Sequence, residues 1–178
     1  MTNFMDKPQL NLGCGALLWE GFINFDKGMY KRNGLRTDVI GDINKLPFNK
    51  ETFRRIVCVH TIEHLYKTDA INMLHGCYDL LVNSGILIVE GPDIVGCYNR
   101  YVERQSNPSR FIDFIYGGES NRLKYGNEYS HKSGWTGKLL AKEFEDVGFV
   151  DVIDGIGRYH GMGRRDFRVG GRKQNART

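Results

Sequence analysis

Nothing in the 178-residue sequence approaches the run of about 18 apolar residues that a membrane-spanning helix needs. The opening residues, MTNFMDKPQ, hold no basic region followed by an apolar stretch, so no secretory signal is expected there. No two of the four cysteines (Cys14, Cys58, Cys77, Cys97) form a CxxC pair, and three lie inside or beside apolar runs. Buried free thiols follow, which fit a reducing compartment. A cytoplasmic protein is expected. Internal repeats are lacking, and so is low-complexity sequence beyond a short tail.

With 40% hydrophobic and 26% charged residues, the chain has ordinary globular chemistry and the length of one domain with a real core. Its net charge of +4 is uneven: residues 158–178 carry Arg158, Arg164, Arg165, Arg168, Arg172, Lys173 and Arg177 against the single acid Asp166. This basic end reads either as a solvated strand and tail or as an electrostatic footprint for nucleic acid or an anionic substrate.

The chain is organised around residues 9–26. A short apolar run, Gln9–Leu12, enters Gly13-Cys14-Gly15, and a second, Phe22–Phe25, ends on Asp26. Strand, glycine turn, strand, acid is how an open α/β sheet holds a nucleoside. The third glycine of a dinucleotide fingerprint is missing, since residue 18 is Leu, and the acid comes early. Further strands are expected at Val39-Ile40, Arg55–Val59, Ile86–Val89, Phe149–Ile153 and Phe167–Gly171. The runs RIVCV and ILIV do not alternate, as in a parallel sheet covered on both faces. Thr68–Val82 has helical periodicity, with Thr68 or Asp69 as N-cap and Asn83-Ser84-Gly85 as its stop. Tyr98–Tyr116 is aromatic-rich and partly helical, interrupted around Pro108. Gly117–Lys132 reads as a long polar loop, and Thr136–Val147 as an amphipathic helix stopped by Gly148. The last two strands lack a helical crossover, so the final pair is antiparallel.

Ligands of such sheets bind beyond the carboxyl ends of the strands. Those ends are Gly13–Gly15, Asp26, Asp42, His60–His64 and Gly91–Asp93. Asp26 suits a ribose diol, and Asp42 with the Ile43 N–H suits an exocyclic amine. His60-Thr61-Ile62-Glu63-His64 spells HxxEH, a zinc spacing when it lies on a long helix. Here it follows a strand, and the sequence places no third ligand, so no metal is expected. His60 is read as lining the nucleoside pocket and His64 as packing under it. His131, in HKSGW at the end of the polar stretch, is the first candidate for a general base, with His64 and Asp93 in reserve. Tyr98, Tyr101, Phe111, Phe114 and Tyr116 read as core or as the wall of a substrate pocket.

Together LNLGCG (10–15), GFINFD (21–26), GDINKLPF (41–48), TIEHL (61–65), SGILIVEGPD (84–93), IYGG (115–118), HKSGW (131–135) and Val147-Gly148-Phe149 resemble the class I S-adenosylmethionine-dependent methyltransferases. They are most similar to a small subfamily linked to sugar and cell-surface polysaccharide modification. The resemblance implies a Rossmann-like, doubly wound α/β sheet of seven strands, mostly parallel with the last antiparallel. It implies S-adenosylmethionine as cofactor, with Leu12, Gly13, Cys14 and Gly15 at its methionine part, Asp26 at the ribose, Asp42 and Ile43 at the adenine, and His60 alongside. A single domain over 1–173 is expected, with 94–134 as a substrate-side insert and 174–178 as a basic tail. Two departures are peripheral: Val82-Asn83-Ser84-Gly85 stands where the family has Lys-Pro-Gly-Gly, and Phe53-Arg54 where it often has Phe-Asp. The expected reaction is methyl transfer to an oxygen or nitrogen of a small-molecule or carbohydrate acceptor. The alternatives are a non-catalytic cofactor-binding module in a larger complex and an RNA or DNA methyltransferase using the basic C-terminus.

Overall fold

Short apolar runs that end on a glycine or an acid become the strands of one sheet. The computed structural model describes residues 8–175, except the side chain of Tyr125. The readings of a missing secretory signal and of a basic tail fall largely on residues 1–7 and 176–178, outside the described residues. In chain order the strands are β1 (Gln9–Leu12), β2 (Ile23–Asp26), a two-residue hairpin β3 (Lys31–Arg32) and β4 (Leu35–Arg36), β5 (Val39–Ile40), β6 (Phe53–Val59), β7 (Leu81–Pro92), β8 (Phe149–Ile156) and β9 (Asp166–Lys173). The helices are α1 (Lys67–Leu80), α2 (Ile94–Tyr98), α3 (Pro108–Tyr116), α4 (Glu119–Tyr125) and α5 (Gly137–Val147). The seven-stranded sheet runs β5-β2-β1-β6-β7-β9-β8, all pairs parallel up to β7 and antiparallel on both sides of β9. This is the expected mostly parallel sheet, with its last strand reversed.

The strands alternate so that Leu10, Leu12, Ile56, Cys58, Leu87, Val89, Phe167 and Val169 share one face, where all are buried. That face packs with Ala70, Met73, Leu74 and Cys77 of α1 and Leu140 and Phe144 of α5 in one apolar core. Burying a large aliphatic side chain is worth roughly 1.5–3 kcal/mol, so this layer fixes the sheet.

Parallel strands normally need a helical crossover, yet residues 13–22 join β1 to β2 with no helix. Two buried asparagines on the other face hold this loop instead. Asn11 donates to the Leu17 carbonyl at 2.6 Å and to Asn24 Oδ1 at 2.9 Å. Asn24 Oδ1 also accepts from the Trp19 N–H, and Asn24 Nδ2 donates to the Trp19 carbonyl. The compact link and the early Asp26 have this network as their cause.

Several boundaries differ from expectation. α1 starts at Lys67 after Tyr66, without a side-chain cap, so Thr68 and Asp69 lie inside its first turn. It runs directly into β7, and Asn83-Ser84-Gly85 sits within that strand. The turn signal is spent on a ladder irregularity, with Ser84 at φ 62° and a register shift opposite Phe53–Arg55. The helical structure of 98–116 is interrupted around Pro108, as expected: it breaks off after Glu103, and Pro108 opens α3, as its fixed φ allows at a first turn. The polar stretch contains α4, bounded by Gly118 and Gly126. α5 has the expected ends: Thr136 Oγ1 accepts from the Leu139 N–H, and Gly148 is left-handed at φ 109°. All four cysteines are buried and unbridged, and no described helix is long and apolar enough to cross a membrane.

At the end of β7, Asp93 ties the insert to the sheet. Its Oδ1 accepts from Gly96 N at 2.9 Å, and its Oδ2 from Gly137 N at 3.0 Å. Its own N–H donates to the Arg165 carbonyl. With both oxygens holding the first turns of α2 and α5, Asp93 acts as a clamp. Asp93→Ala is expected to lower stability by about 2–4 kcal/mol, from two lost charge-assisted bonds; an unchanged urea midpoint would refute the clamp.

Candidate active site

The glycine turn after β1 is closed from three sides. The Gly13 and Cys14 N–H groups both donate to the Phe25 carbonyl, at 2.9 and 3.0 Å. Thr61 Oγ1, just after β6, donates to the Gly13 carbonyl at 3.0 Å. Gly13 has φ +68°, and a Cβ there would stand 2.3 Å from Thr61 Oγ1, so no other residue fits. Gly15 has φ +48°, and a Cβ on it would meet nothing within 4 Å: its backbone faces open space. The Gly15 N–H donates to Asp26 Oδ2 at 2.8 Å, and the Gly28 N–H to Asp26 Oδ1 at 3.0 Å. Each carboxylate oxygen keeps an acceptor site for a hydroxyl. Asp42 is exposed just beyond β5 with its Oδ1 on the Asn44 N–H, while Ile43 packs on the core. An open glycine backbone, a two-oxygen acceptor and an exposed acid with an apolar neighbour fit a nucleoside joined to an amino-acid tail. Leu12 is fully buried and offers only its backbone. Cys14 is buried, and burial followed by the Asp26 charge pushes its thiol up to about 12, far from a nucleophilic thiolate.

His60 follows β6 at φ 51°, a strained region for a side-chain-bearing residue. Its Nδ1 lies 3.0 Å from Glu63 Oε1, and its Nε2 lies 3.6 Å from Asp166 Oδ2, too long for a hydrogen bond but close for an ion pair. Burial pulls the imidazole down, but Asp166 and Glu63 outweigh it and hold its pKa at about 9, so His60 is cationic at neutral pH. Arg165 grips Asp166 with both Nε and Nη2. Burial pushes the Asp166 carboxyl up, yet His60 and Arg165 together bring it to about 2. His60 thus belongs to a buried charge cluster, and its ring meets that of His160 at 4.4 Å.

The reserve and first-choice bases come together. The rings of His64 and His131 are 5.0 Å apart. His64 Nδ1 donates to the Ser130 carbonyl at 3.2 Å, and His131 Nδ1 to the Phe114 carbonyl at 2.7 Å. Burial holds the His131 imidazole below its usual value, against the pull of Glu63, so it is neutral at neutral pH. Glu63, 3% exposed, lies between this pair and His60. Its backbone carbonyl accepts from the N–H groups of Lys132 and Ser133, at 2.8 and 3.3 Å, which sews the HKSGW strap to the end of β6. Asp93, the other reserve base, stands apart from this group as the clamp described above.

The insert reaches over the segment that follows Asp26. Tyr129 Oη meets Tyr30 Oη at 2.9 Å, and Glu128 pairs with Lys27, both partners in the segment after Asp26. Of the aromatic stripe, Tyr101 is buried and stacked on Phe114, whereas Tyr98 and Tyr116 face solvent. A cavity of about 730 Å³ lies between α2, the start of α5 and the β8–β9 hairpin, with Arg100, Arg104, Lys138 and Arg164 on its wall. Four residues escaped assignment from the sequence: Thr61, Glu63, His160 and Asp166. Glu63 was visible inside HTIEH; Asp166 and His160 reach the site only through the return of β9.

Residues 10–89 match the family model described as a methyltransferase domain. No curated protein matches. Among solved structures, a SAM-dependent methyltransferase from Archaeoglobus fulgidus is similar at 16% identity and TM-score 0.64, over 96% of this chain and 88% of that one. A Thermotoga maritima protein, described as a SAM-dependent methyltransferase and possible histamine N-methyltransferase, aligns at 17% identity and TM-score 0.55, over 95% and 83%. Human N-acetylserotonin methyltransferase in complex with SAM aligns at 14% and TM-score 0.56, over 95% of this chain and 48% of that one. At these identities the shared property is the fold. The matched segment indicates a SAM-dependent methyltransferase with S-adenosylmethionine as its cofactor, and the solved structures add that the fold is the Rossmann-like one.

The charge cluster makes stability pH-dependent. The folded pKa of Asp166 lies below its ordinary 3.8, so its contribution is present above that value and is lost as pH falls towards 2. At about 1.4 kcal/mol per pKa unit, that contribution is on the order of 2 kcal/mol. Asp166→Asn is expected to flatten the acid limb of stability between about pH 4 and pH 2, read by urea denaturation at a series of pH values; an unchanged limb would overturn the pairing.

Proposed function

We propose that the protein moves the methyl group of S-adenosylmethionine to an oxygen or nitrogen of a small-molecule or carbohydrate acceptor, the sugar-linked subfamily being the nearest resemblance. The observation that carries this reading is the meeting of Glu63, His64 and His131 just beyond Thr61, which itself holds the glycine turn. The sulfonium supplies an activated methyl group, so the protein's own task is alignment and handling of the acceptor's proton. Gly13, Cys14 and Gly15 approach the methionine part, Asp26 holds the ribose, and Asp42 with Ile43 reads the adenine beside His60. The neutral His131 imidazole, oriented by the Phe114 carbonyl, engages the acceptor from the strap. The insert 94–134 forms the acceptor side of a single domain spanning 1–173.

A second reading has one observation in its favour. Arg100, Arg104, Lys138 and Arg164 on one cavity wall suit a polyanionic acceptor such as RNA. Binding to RNA that weakens steeply with salt, together with methylation of that RNA, would replace the small-acceptor reading.

Asp26→Ala is expected to weaken S-adenosylmethionine binding at least about tenfold by calorimetry, from lost hydrogen bonds to a charged acceptor. His131→Ala is expected to lower turnover by about 10²-fold or more while leaving cofactor affinity within about twofold, the range for a lost proton-handling group. Unchanged cofactor affinity in the first variant, or unchanged turnover in the second, sinks the corresponding assignment.

A further inference from the structure

We infer that Glu63, His64 and His131 form a binding site for a first-row transition-metal dication, with Zn²⁺ as its representative. One ligand atom from each of the three lies within 4.8 Å of the others. The hydrogen bonds leave each residue the lone pair that a metal needs. His64 and His131 both spend Nδ1–H on a backbone carbonyl, of Ser130 and Phe114, so the neutral form of each ring carries its lone pair on Nε2. Tying the second ring nitrogen to a carbonyl is the usual way a metal-binding imidazole is oriented. Glu63 spends Oε1 on His60 Nδ1, while its Oε2 is buried without a hydrogen-bond partner. A buried carboxylate oxygen left unpaired is destabilising unless something fills its coordination.

Two imidazoles and one carboxylate with positions left over is the donor set of an open site, suited to zinc and its neighbours rather than to magnesium. A second triad, His60, His160 and Asp166, also lies within ligand distance. It is a poorer site, because Arg165 already holds both oxygens of Asp166 and brings a fixed positive charge. The inference deepens the acceptor-side reading, on which its functional part rests. With the ion bound, the His131 lone pair is spent on the metal, and an acceptor hydroxyl at an open position gives up its proton to solvent because a divalent cation lowers its pKa. Ion binding itself does not depend on that reading.

The test is calorimetry of the metal-stripped full chain with ZnCl₂, with CoCl₂ absorption as a second probe. One equivalent of Zn²⁺ is expected to bind to the wild type, and Co²⁺ to give a visible d–d band. Glu63→Gln, His64→Gln and His131→Gln are each expected to weaken Zn²⁺ at least tenfold, and His160→Gln to leave it unchanged. Thermal melts and S-adenosylmethionine affinity show that each variant is folded. Absence of Zn²⁺ binding by the wild type overturns the site, as does loss of binding in His160→Gln with His131→Gln unaffected. Zn²⁺ binding without any effect on methyl transfer keeps the site and removes its functional part, whereas failure of the His131 turnover test alone leaves the metal result standing.

Discussion

A carboxylate almost cut off from water must be held by charge and hydrogen bonds, and Glu63 is that group here. Burial pushes its pKa up, but the hydrogen bond and charge of His60, with His64 and His131 beyond, bring it below the ordinary carboxylate range. The same residue accepts the N–H groups of Lys132 and Ser133 on its backbone carbonyl. One position therefore joins the end of β6 to the strap that closes the insert. Without that junction, His131 has no fixed relation to the glycine turn. The order of dependence runs from a buried charge, to a fixed loop, to an oriented imidazole.

The glycine turn after β1 rests on a different device. A ten-residue link takes the place of a helical crossover, and such a link is stable only if its polar backbone finds partners. Asn11 and Asn24, buried in adjacent strands, are those partners. Their neighbours in the same strands, Leu12 and Phe25, face the core. Alternation along two short strands thus separates packing from loop anchoring. Gly15 is left with open space above its backbone and Asp26 within reach of its N–H. The cradle is small because the link is short, and the link is short because asparagines hold it.

Most of the sheet was legible because its strands are apolar runs bounded by glycine, proline or acids. Gln9–Leu12 and Val39-Ile40 have their expected limits, and the reversed last strand followed from the missing helical crossover. α4 was not legible: its residues show no apolar period, and Leu123 is 82% exposed, so packing leaves no trace in the sequence. The cap of α1 was misread because the helix begins one turn-forming residue earlier without any side-chain acceptor. In the site, the glycines and acids at strand ends were visible as local patterns. The HTIEH segment was visible too, but its third partner was not. His131 is far along the chain and reaches Glu63 only through backbone bonds of the strap, a relation that no local spacing encodes. The structure supplies what the expectation of no metal lacked, a candidate third ligand.

The basic C-terminal end shows why formal charge is a poor guide to partners once a fold exists. Arg165 is buried against Asp166, Arg168 pairs with the buried Glu90, Arg172 meets Asp151, and Lys173 donates to the Leu81 carbonyl and pairs with Glu51. These cations pair with acids of the same sheet or, for Glu51, of the turn before β6, so they project little field towards a partner. Glu90 illustrates the exchange: 2% exposed, it accepts from Arg168 and from the N–H groups of Arg158 and Tyr159, which fixes the turn after β8. That turn carries His160, and β9 starts with Asp166, so the charges that looked like a nucleic-acid footprint instead set the position of the cluster behind His60. The cations left on a cavity wall are Arg100 and Arg104 on the insert, Lys138 on α5 and Arg164 in the connection between β8 and β9. Most of the basic end thus serves the sheet itself, and the cations of the cavity wall come mainly from the insert and α5.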